Sequence, residues 1–278
     1  MKDFIKRKGK QHSAVLRFDV SNAYGTMSRT LLQKLMETAD HPLRQYFRLV
    51  YGRKSHIAVF GPEGKTDFIP LGEGVKQGDA TSSLLFCLGV DVALGELNKF
   101  LSENGIYAEI YMYMDDLTIC VDVEHADLVS KAAIAALNKI GFKVNEDKSK
   151  ILTDMVGQFV LPRCSHEEMF IILGANIAES AAAYKQFTDN LLERQAQYFD
   201  LFKRVSLHPQ AVCTLLRICG HPRIHYFCAT TPPDEMKPVT EFFDQQVKAM
   251  VEQLLDPTGL TEVPAGILHE HPSFSSQV

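Results

Sequence analysis

Two adjacent aspartates, Asp115 and Asp116, interrupt an otherwise apolar, strand-like run, "YAEIYMYMDDLTICVDV". An acidic pair between two apolar runs commonly marks the exposed turn of a β-hairpin, because aspartate favours turns. The other interpretation is that the two carboxylates are held together to bind a divalent cation, since unpaired carboxylates in a sheet repel each other. The dipeptide alone leaves both interpretations open.

A third carboxylate ends another strand-like segment. Asp19 follows "AVLRF" and precedes Asp115 by 96 positions. An antiparallel sheet that places this strand beside the Asp115 hairpin would bring all three carboxylates to one edge. Two divalent metals about 4 Å apart, held by such carboxylates, can activate a 3′-hydroxyl and stabilise a pyrophosphate leaving group. We therefore expect Asp19, Asp115 and Asp116 to converge on one metal site.

The segments around these aspartates alternate between strand and helix patterns. Turn signals between apolar runs predict β-hairpins for "HIAVFGPEGKTDFIPL" and for the Asp115 segment. Apolar residues at helical spacing predict helices over roughly 81–101 and 124–140, with Gly141 as the stop signal of the second. From about residue 184 the pattern is helical. The expected fold class is α+β, an antiparallel sheet backed by helices and followed by a helical domain.

Composition limits the function classes. The 278-residue chain has a net charge of −5, no apolar run near the roughly 20 residues that span a bilayer, and six widely spaced cysteines. We expect an intracellular protein without a membrane partner. Basic residues collect at 2–17, whereas 231–278 is acidic, so the overall charge leaves room for a phosphate-binding surface.

Five blocks of the sequence resemble the palm of reverse transcriptases, most closely those of non-LTR retrotransposons. In chain order they are "RFDVSNAYGTM", "GVKQGDATSSLLF", "YMDD", "GFKVNEDKSKI" and "FIILG". One such block is a weak signal, whereas five in the family's order are a strong one. The helical "LLRICGHPRIHYFCATTPP" is similar to the thumb side of eukaryotic non-LTR elements. The resemblance implies a right-hand polymerase palm followed by a thumb-like helical domain.

The resemblance also implies a division of the chain. We expect a basic N-terminal segment at 1–13, a palm at 14–180, a helical thumb-like domain at 181–255 and a flexible tail at 256–278. The family's fingers precede the first palm block, and the eighteen residues before Asp19 do not contain them. The chain is therefore expected to be a fragment with little activity alone, or a repurposed copy.

The matched residues acquire roles from the resemblance. Asp19 and Asp115 would ligate both metals, with Asp116 as a further ligand or electrostatic support and the backbone carbonyl of Val20 as an additional ligand. The metal would be Mg²⁺, two ions, with Mn²⁺ as the alternative. Lys148 would protonate or neutralise the pyrophosphate. Its alternative role is that of a solvated lysine.

Other matched residues would contact the substrates. Tyr24 would exclude a 2′-hydroxyl from the incoming nucleotide, or else serve as an ordinary core aromatic. Gln77 and Gly78 would bind the nucleotide beside the templating base, on a loop whose glycines allow close backbone approach. The residues expected at the primer and template are Gly74, Asn145, Leu173, Gly174, Arg217 and Arg223.

The function that this resemblance implies is an RNA-directed DNA polymerase domain of a retroelement. Its partners would be an RNA template, a DNA primer, deoxynucleoside triphosphates and the rest of a retroelement polyprotein, with a nuclear location in a eukaryotic host. One alternative is a catalytically silent, retroelement-derived protein that binds nucleic acid. Another is a palm-like nucleotidyl cyclase, which would also use acidic turns, although the "GVKQGD" block and the thumb-like helices disfavour it.

Overall fold

The structure, a computed structural model, describes residues 1–38, 41–53, 55–204 and 208–255. The expected tail at 256–278 lies outside the described residues. The chain divides into two units, Met1–Cys164 and Ser165–Val278. The boundary expected near residue 180 falls later than this division, because a short hairpin at 171–176 groups with the helices that follow it.

The first unit combines short and long elements of both types. Its described strands are β1 (Ser13–Phe18), β2 (Val20–Ser21), β3 (Ser55–Phe60), β4 (Thr66–Leu71), β5 (Ala108–Tyr113), β6 (Asp116–Asp122), β7 (Lys143–Val144), β8 (Lys150–Leu152) and β9 (Arg163–Cys164). Its described helices are α1 (Lys2–Lys8), α2 (Ala23–Thr26), α3 (Arg29–Thr38), α4 (Arg44–Val50), α5 (Ser82–Glu103) and α6 (Ala126–Lys139).

A sheet with the strand order β5-β6-β1-β8-β9 forms the frame of this unit. The central strand β1 pairs antiparallel with β6 and β8, and β6 pairs antiparallel with β5. The last pair, β8 with β9, is parallel. The strands β3 and β4 form a separate antiparallel hairpin whose side chains are mostly exposed. The predicted placement of the first strand beside the Asp115 hairpin is therefore present in the fold.

One face of the sheet is backed by helices. Successive side chains of a strand point to opposite faces, so Leu16, Phe18 and Ile119 share one face. These residues lie in one apolar core with Leu85 of α5 and Val129 of α6, and each is fully buried. Burying a large apolar side chain contributes about 1.5–3 kcal/mol, so each of these residues stabilises the packing of sheet on helices. The predicted α+β class, with an antiparallel sheet backed by helices, is confirmed.

The opposite face of the sheet contacts α1, which lies within the basic N-terminal segment. Phe4 and Ile5 of this helix are each 1% exposed. Arg7 forms an ion pair with Glu109 at 2.6 Å, and Lys8 forms one with Asp122 at 3.0 Å. The helix α1 is thus amphipathic. Its apolar side packs against the sheet, and its cations pair with acidic residues of β5 and β6.

The second unit is mostly helical. Its elements are β10 (Ile171–Ile172), β11 (Ala175–Asn176), α7 (Ala181–Arg204), α8 (Pro209–Leu215), a π-helical segment (Leu216–Gly220), α9 (His221–Thr230) and α10 (Pro233–Leu255). Leu191, Ile224, Val239 and Phe243 form its core and are at most 1% exposed. The helices α7 to α10 lie within the range 181–255 for which helices were predicted. In the described ranges, no helix combines the length and the apolar character that crossing a membrane requires.

Candidate active site

The Asp115–Asp116 pair lies at the turn between β5 and β6. Tyr113 pairs with Asp116, so Met114 and Asp115 are the two central residues of the turn. Met114 has a φ of 55°, in the left-handed region that a two-residue hairpin turn requires and a bulky side chain rarely adopts. Asp115 is exposed and Asp116 is half-buried. The hairpin positions two carboxylates at the end of the sheet.

Asp19 lies at the same end. Phe18, the last residue of β1, pairs with Leu117 of β6, so extending the antiparallel register by one residue places Asp19 opposite Asp116. Burial raises the pKa of Asp116, the negative charges of Asp115 and Asp19 raise it further, and the nearby Arg17 lowers it. The three carboxylates therefore share one edge of the sheet and repel one another.

The three carboxylates are chemically suited to bind a divalent cation, although their side chains are not arranged around one ion position. Clustered carboxylates are the ligands that Mg²⁺ and Mn²⁺ prefer, and their mutual repulsion is relieved by a positive ion. Across the described ranges, no group of three or more acidic, histidine or cysteine side chains is arranged closely enough to hold a metal ion. The two observations are compatible, because Mg²⁺ ligation requires oxygen atoms about 2.0–2.1 Å from the ion, whereas charge repulsion extends much farther.

Asn145 and Lys148 lie on the turn after β7, beside Asp19. The backbone N–H of Asn145 donates to the carbonyl of Asp19 at 2.8 Å. The Oδ1 atom of Asn145 accepts from the backbone N–H of Lys148 at 3.2 Å. The Lys148 side chain is exposed, and Val20 pairs with Val144 in the β2–β7 ladder. Asn145 thus holds the backbone of Asp19, and the primer or template contact expected for it stays a prediction.

Tyr24 projects from α2 toward the Met114 turn. Its ring stacks on Phe86 with centroids 4.4 Å apart and an angle of 8° between the ring planes. Its hydroxyl lies 3.3 Å from Ser83 Oγ and 3.7 Å from Met114 Sδ. The ring is only partly buried, and its hydroxyl lies beside the turn that carries Asp115. The position is compatible with contact to a nucleotide sugar.

The "GVKQGD" loop is fastened to the segment that carries Tyr24. The N–H groups of Gly74 and Val75 donate to Met27 and Tyr24 carbonyls at 2.9 and 2.7 Å. A Cβ atom on Gly74 would lie 2.4 Å from the carbonyl oxygen of Gly25, and Gly74 has a φ of +74°. Only glycine fits this crossing of two backbones.

Farther along the same loop, Gln77 and Gly78 are exposed. Gly78 has a φ of +87°, and a Cβ atom on it would meet nothing within 4 Å. Gly74 therefore serves packing, whereas Gln77 and Gly78 face solvent where a ligand can reach them.

A buried tyrosine that the sequence analysis did not single out organises this loop. Tyr51 is 4% exposed and its hydroxyl donates to Asp79 Oδ2 at 2.6 Å. The same hydroxyl accepts from the Lys76 N–H at 3.2 Å, and Tyr46 donates to the other oxygen of Asp79 at 2.8 Å. The hydrogen bond from Tyr51, together with that from Tyr46, lowers the pKa of Asp79.

Arg29 is a second organiser of the loop. It is 7% exposed, and its guanidinium donates to the carbonyls of Gly74 at 2.7 Å and Leu71 at 3.0 Å. Desolvation by burial lowers the pKa of Arg29. The spacing of the sequence signals neither residue, because the partners of Arg29 lie 42 and 45 positions away and those of Tyr51 lie 25 to 31 positions away.

The remaining site candidates lie in the second unit. Leu173 and Gly174 are the central residues of the β10–β11 turn, with φ values of 48° and 84° as a type I′ turn requires. The Tyr226 hydroxyl donates to the carbonyl of Leu173. Arg217 is exposed in the π-helical segment, and the Arg223 guanidinium lies 4.6 Å from the centre of the Tyr198 ring. Among the residues that the structure describes, no hydrogen bond, ion pair or ring contact joins either arginine to Leu173 or Gly174.

The chain is similar in sequence to a protein encoded by a retrotransposable element. The chain is 22% identical over 267 residues to the retrotransposable element SLACS 132 kDa protein of Trypanosoma brucei gambiense. The match covers 91% of this chain and 21% of the relative, so the chain spans about a fifth of that protein's length.

Solved structures of telomerase are also similar to the chain. One is telomerase from Candida albicans in complex with the TWJ fragment of telomeric RNA, at a TM-score of 0.48 and 14% identity over 95% of this chain and 54% of the other. Another is apo telomerase from Candida tropicalis, at a TM-score of 0.45 and 15% identity. This match covers 96% of this chain and 53% of the other.

A family model described as reverse transcriptase (RNA-dependent DNA polymerase) matches residues 2–202. This range includes Asp19, the "GVKQGD" loop, the Asp115 turn and the β10–β11 hairpin. The match covers well over half of the chain, which therefore belongs to the reverse transcriptase family.

Proposed function

We propose that this chain is the palm and part of the thumb of an RNA-directed DNA polymerase from a non-LTR retroelement. The observation that carries the proposal is the convergence of Asp19, Asp115 and Asp116 on one sheet edge in a member of the reverse transcriptase family. The same membership favours polymerisation over the nucleotidyl cyclase alternative.

The proposed cofactor is Mg²⁺, two ions, with Mn²⁺ as a substitute. Asp19 and Asp115 would hold both ions, Asp116 and the Val20 carbonyl would complete the set, and the bound ions would supply charge stabilisation to the reacting phosphate. The support from this structure is the donor chemistry of three mutually repelling carboxylates at one edge.

The proposed reaction joins the primer 3′-oxygen to the α-phosphorus of a deoxynucleoside triphosphate. The new P–O bond replaces the bond to pyrophosphate, and the 3′-hydroxyl proton leaves to solvent. Lys148, exposed on the turn beside Asp19, would donate a proton to the departing pyrophosphate. The Tyr24 ring would lie under the sugar, and Gln77 and Gly78 would contact the nucleotide from the solvent side of their loop.

The proposed partners are an RNA template and a DNA primer. Gly174, Leu173, Arg217 and Arg223 of the second unit are proposed to contact the duplex, and Gly74 and Asn145 to support it through the loop and the turn that they hold. We also propose that the chain acts inside a longer retroelement polyprotein, in keeping with the share of its relative that it spans. Its location would be intracellular, and nuclear in a eukaryotic host.

Extension of a DNA primer on an RNA template, with Mg²⁺ and deoxynucleoside triphosphates, tests the proposal. The chain should bind the primed template and extend it weakly, and a version lengthened upstream to include fingers should extend it far better, because phosphoryl transfer depends on triphosphate positioning. Losing one preorganised donor to a developing charge costs about 10²–10³-fold in rate.

The matched variants for this assay are Asp115→Asn and Asp67→Asn. Extension should disappear in the first and persist in the second, because Asp67 is an exposed carboxylate on β4. Template binding without extension by either chain length would instead support the catalytically silent, nucleic-acid-binding alternative. Equal extension by Asp115→Asn and the unchanged chain would overturn the proposed site.

A further inference from the structure

We infer that Ser149 is a positioning residue that fixes Asp19 for metal binding, an inference that rests on the proposed function. β1 ends at Phe18 and β2 begins at Val20, so Asp19 lies at the junction between two strands. The two strands belong to different sheets. Its backbone groups therefore need partners outside the main strand ladder.

Ser149 and Asn145 supply these partners. The N–H of Asp19 donates to Ser149 Oγ at 3.0 Å, and the carbonyl of Asp19 accepts from the Asn145 N–H at 2.8 Å. Both backbone groups of the aspartate are thus bound to one five-residue turn, 145–149. The aspartate is held on both sides of its own Cα atom.

The Ser149 hydroxyl has two partners. While accepting from Asp19, Oγ donates to the Asn145 carbonyl at 2.7 Å, and the backbone N–H of Ser149 donates to the same carbonyl at 2.9 Å. A hydroxyl can donate once and accept through its lone pairs, so both bonds form together. Each bond fixes the rotamer that the other requires.

Burial makes this hydroxyl hard to replace by solvent. Ser149 is 0% exposed. An alanine at this buried position would remove the acceptor of the part-buried Asp19 N–H, and a donor left without its partner favours a shift of the backbone that carries it. The expected consequence is a displaced Asp19 carboxylate in a fold that is otherwise retained.

A small displacement of Asp19 matters because metal binding depends on ligand placement. Functional side chains must be held within about 0.5 Å of their productive geometry by the groups behind them. Removing a group that orients a metal ligand typically weakens metal binding about 10- to 100-fold. Ser149 acts on the ligand through its backbone, so we expect a loss of about 10-fold, at the lower end of that range.

The test is a Mn²⁺ titration of the full chain, followed by electron paramagnetic resonance of the free ion, without nucleic acid or nucleotide. Asp115→Asn identifies the binding that depends on the acidic edge. Ser149→Ala should weaken that binding about 10-fold, whereas Ser130→Ala should leave it unchanged. Ser130 is the matched control because it is a buried serine, 1% exposed, on α6.

Thermal unfolding of each variant shows whether a loss of Mn²⁺ affinity comes from a displaced Asp19 carboxylate or from an unfolded protein. Should Ser149→Ala fail to fold, Ser149→Cys provides the comparison, since its larger sulfur still fills the site and is a weak acceptor, and it should give a smaller loss of Mn²⁺ affinity. Unchanged Mn²⁺ affinity in a folded Ser149 variant would overturn the inference while leaving the metal site intact. Equal Mn²⁺ binding by Asp115→Asn and the unchanged chain would overturn the proposed site and the inference with it.

Discussion

The rings of Tyr24 and Phe86 are stacked almost in parallel, with centroids 4.4 Å apart. Phe86 is fully buried and packs in turn against Phe142 at 5.4 Å. This support restricts the tilt of the Tyr24 ring, because one of its faces lies flat against a buried ring of the core. A ring fixed in this way is suited to discriminate between sugars by shape.

Tyr24→Ala should therefore weaken discrimination against ribonucleotides in an extension-competent chain. The expected loss is on the order of 10-fold or more, the usual effect of removing steric exclusion of one small group. Tyr24→Phe is the matched variant, since it keeps the ring and removes only the hydroxyl beside Ser83 and Met114. Incorporation ratios for ribo- and deoxyribonucleotides are the measurement, and equal ratios in all three proteins would show that Tyr24 serves packing alone.

Asp115→Asn should remove stabilisation by divalent metal without unfolding the protein. Its side chain is exposed, and its charge adds to the repulsion that Asp116 experiences. A ligand that binds only the folded state at 100 times its Kd stabilises by about 2.7 kcal/mol. We expect Mn²⁺ to raise the Tm of the unchanged chain and of Asp67→Asn, with EDTA reversing the rise. A similar rise in Asp115→Asn would contradict the proposed ligand role.

Gly74→Ala should destabilise the first unit by about 2 kcal/mol or more. The substitution combines a positive φ, which costs about 1–3 kcal/mol for other residues, with a methyl 2.4 Å from the Gly25 carbonyl oxygen. Gly72→Ala is the control, because a Cβ atom there would meet nothing within 4 Å. Urea unfolding gives the free energy of unfolding of each variant. Equal values for the two would show that the loop moves to accommodate the methyl group without loss of stability.

Tyr51→Phe should destabilise the protein at neutral pH by about 1 kcal/mol. A hydrogen bond to a charged group contributes somewhat more when it is buried, and the partial exposure of Asp79 reduces that contribution. The pKa of Asp79 is lowered chiefly by this hydrogen bond. The stabilisation is therefore present above the unfolded pKa of aspartate, about 3.9, and is lost as pH falls through the lower folded pKa.

The difference in unfolding free energy between Tyr51→Phe and the unchanged chain should thus be constant from pH 7 to about pH 5 and shrink below about pH 4. Tyr113→Phe, at a tyrosine that is 67% exposed, should show no such trend. Urea unfolding across this pH range is the measurement. A difference that grows toward acid would mean that Tyr51 stabilises the protonated form of Asp79 instead.

The sequence predicted those parts of the fold that depend on local periodicity. The β5–β6 hairpin, α5 and α6 follow from alternating or helical spacing of apolar residues that face one core. The register that places Asp19 beside Asp116 came from assuming that β1 joins this hairpin, which is the arrangement that buries Leu16 and Phe18 between sheet and helices.

Contacts between distant, unpatterned residues could not be predicted in this way. Tyr51 and Asp79 are 28 positions apart, and nothing in the spacing of either residue indicates their bond. Ser149 contacts Asp19 across 130 positions, and a serine between two lysines is typical of a solvated turn. The Tyr51–Asp79 and Ser149–Asp19 hydrogen bonds form only because the fold brings distant segments of the chain together. Periodicity in the sequence indicates only which side of a single helix or strand is buried.

The two-residue turn at Met114 and Asp115 also limits how the chain can change over evolutionary time. Tyr113 and Asp116 are directly paired across it, so adding or deleting a single residue in this turn would shift one strand by one position. Such a shift moves each side chain of that strand to the other face of the sheet. Length variation here would thus exchange the carboxylate of Asp116 with the buried Leu117, so homologous chains should tolerate substitutions at Met114 far better than insertions or deletions.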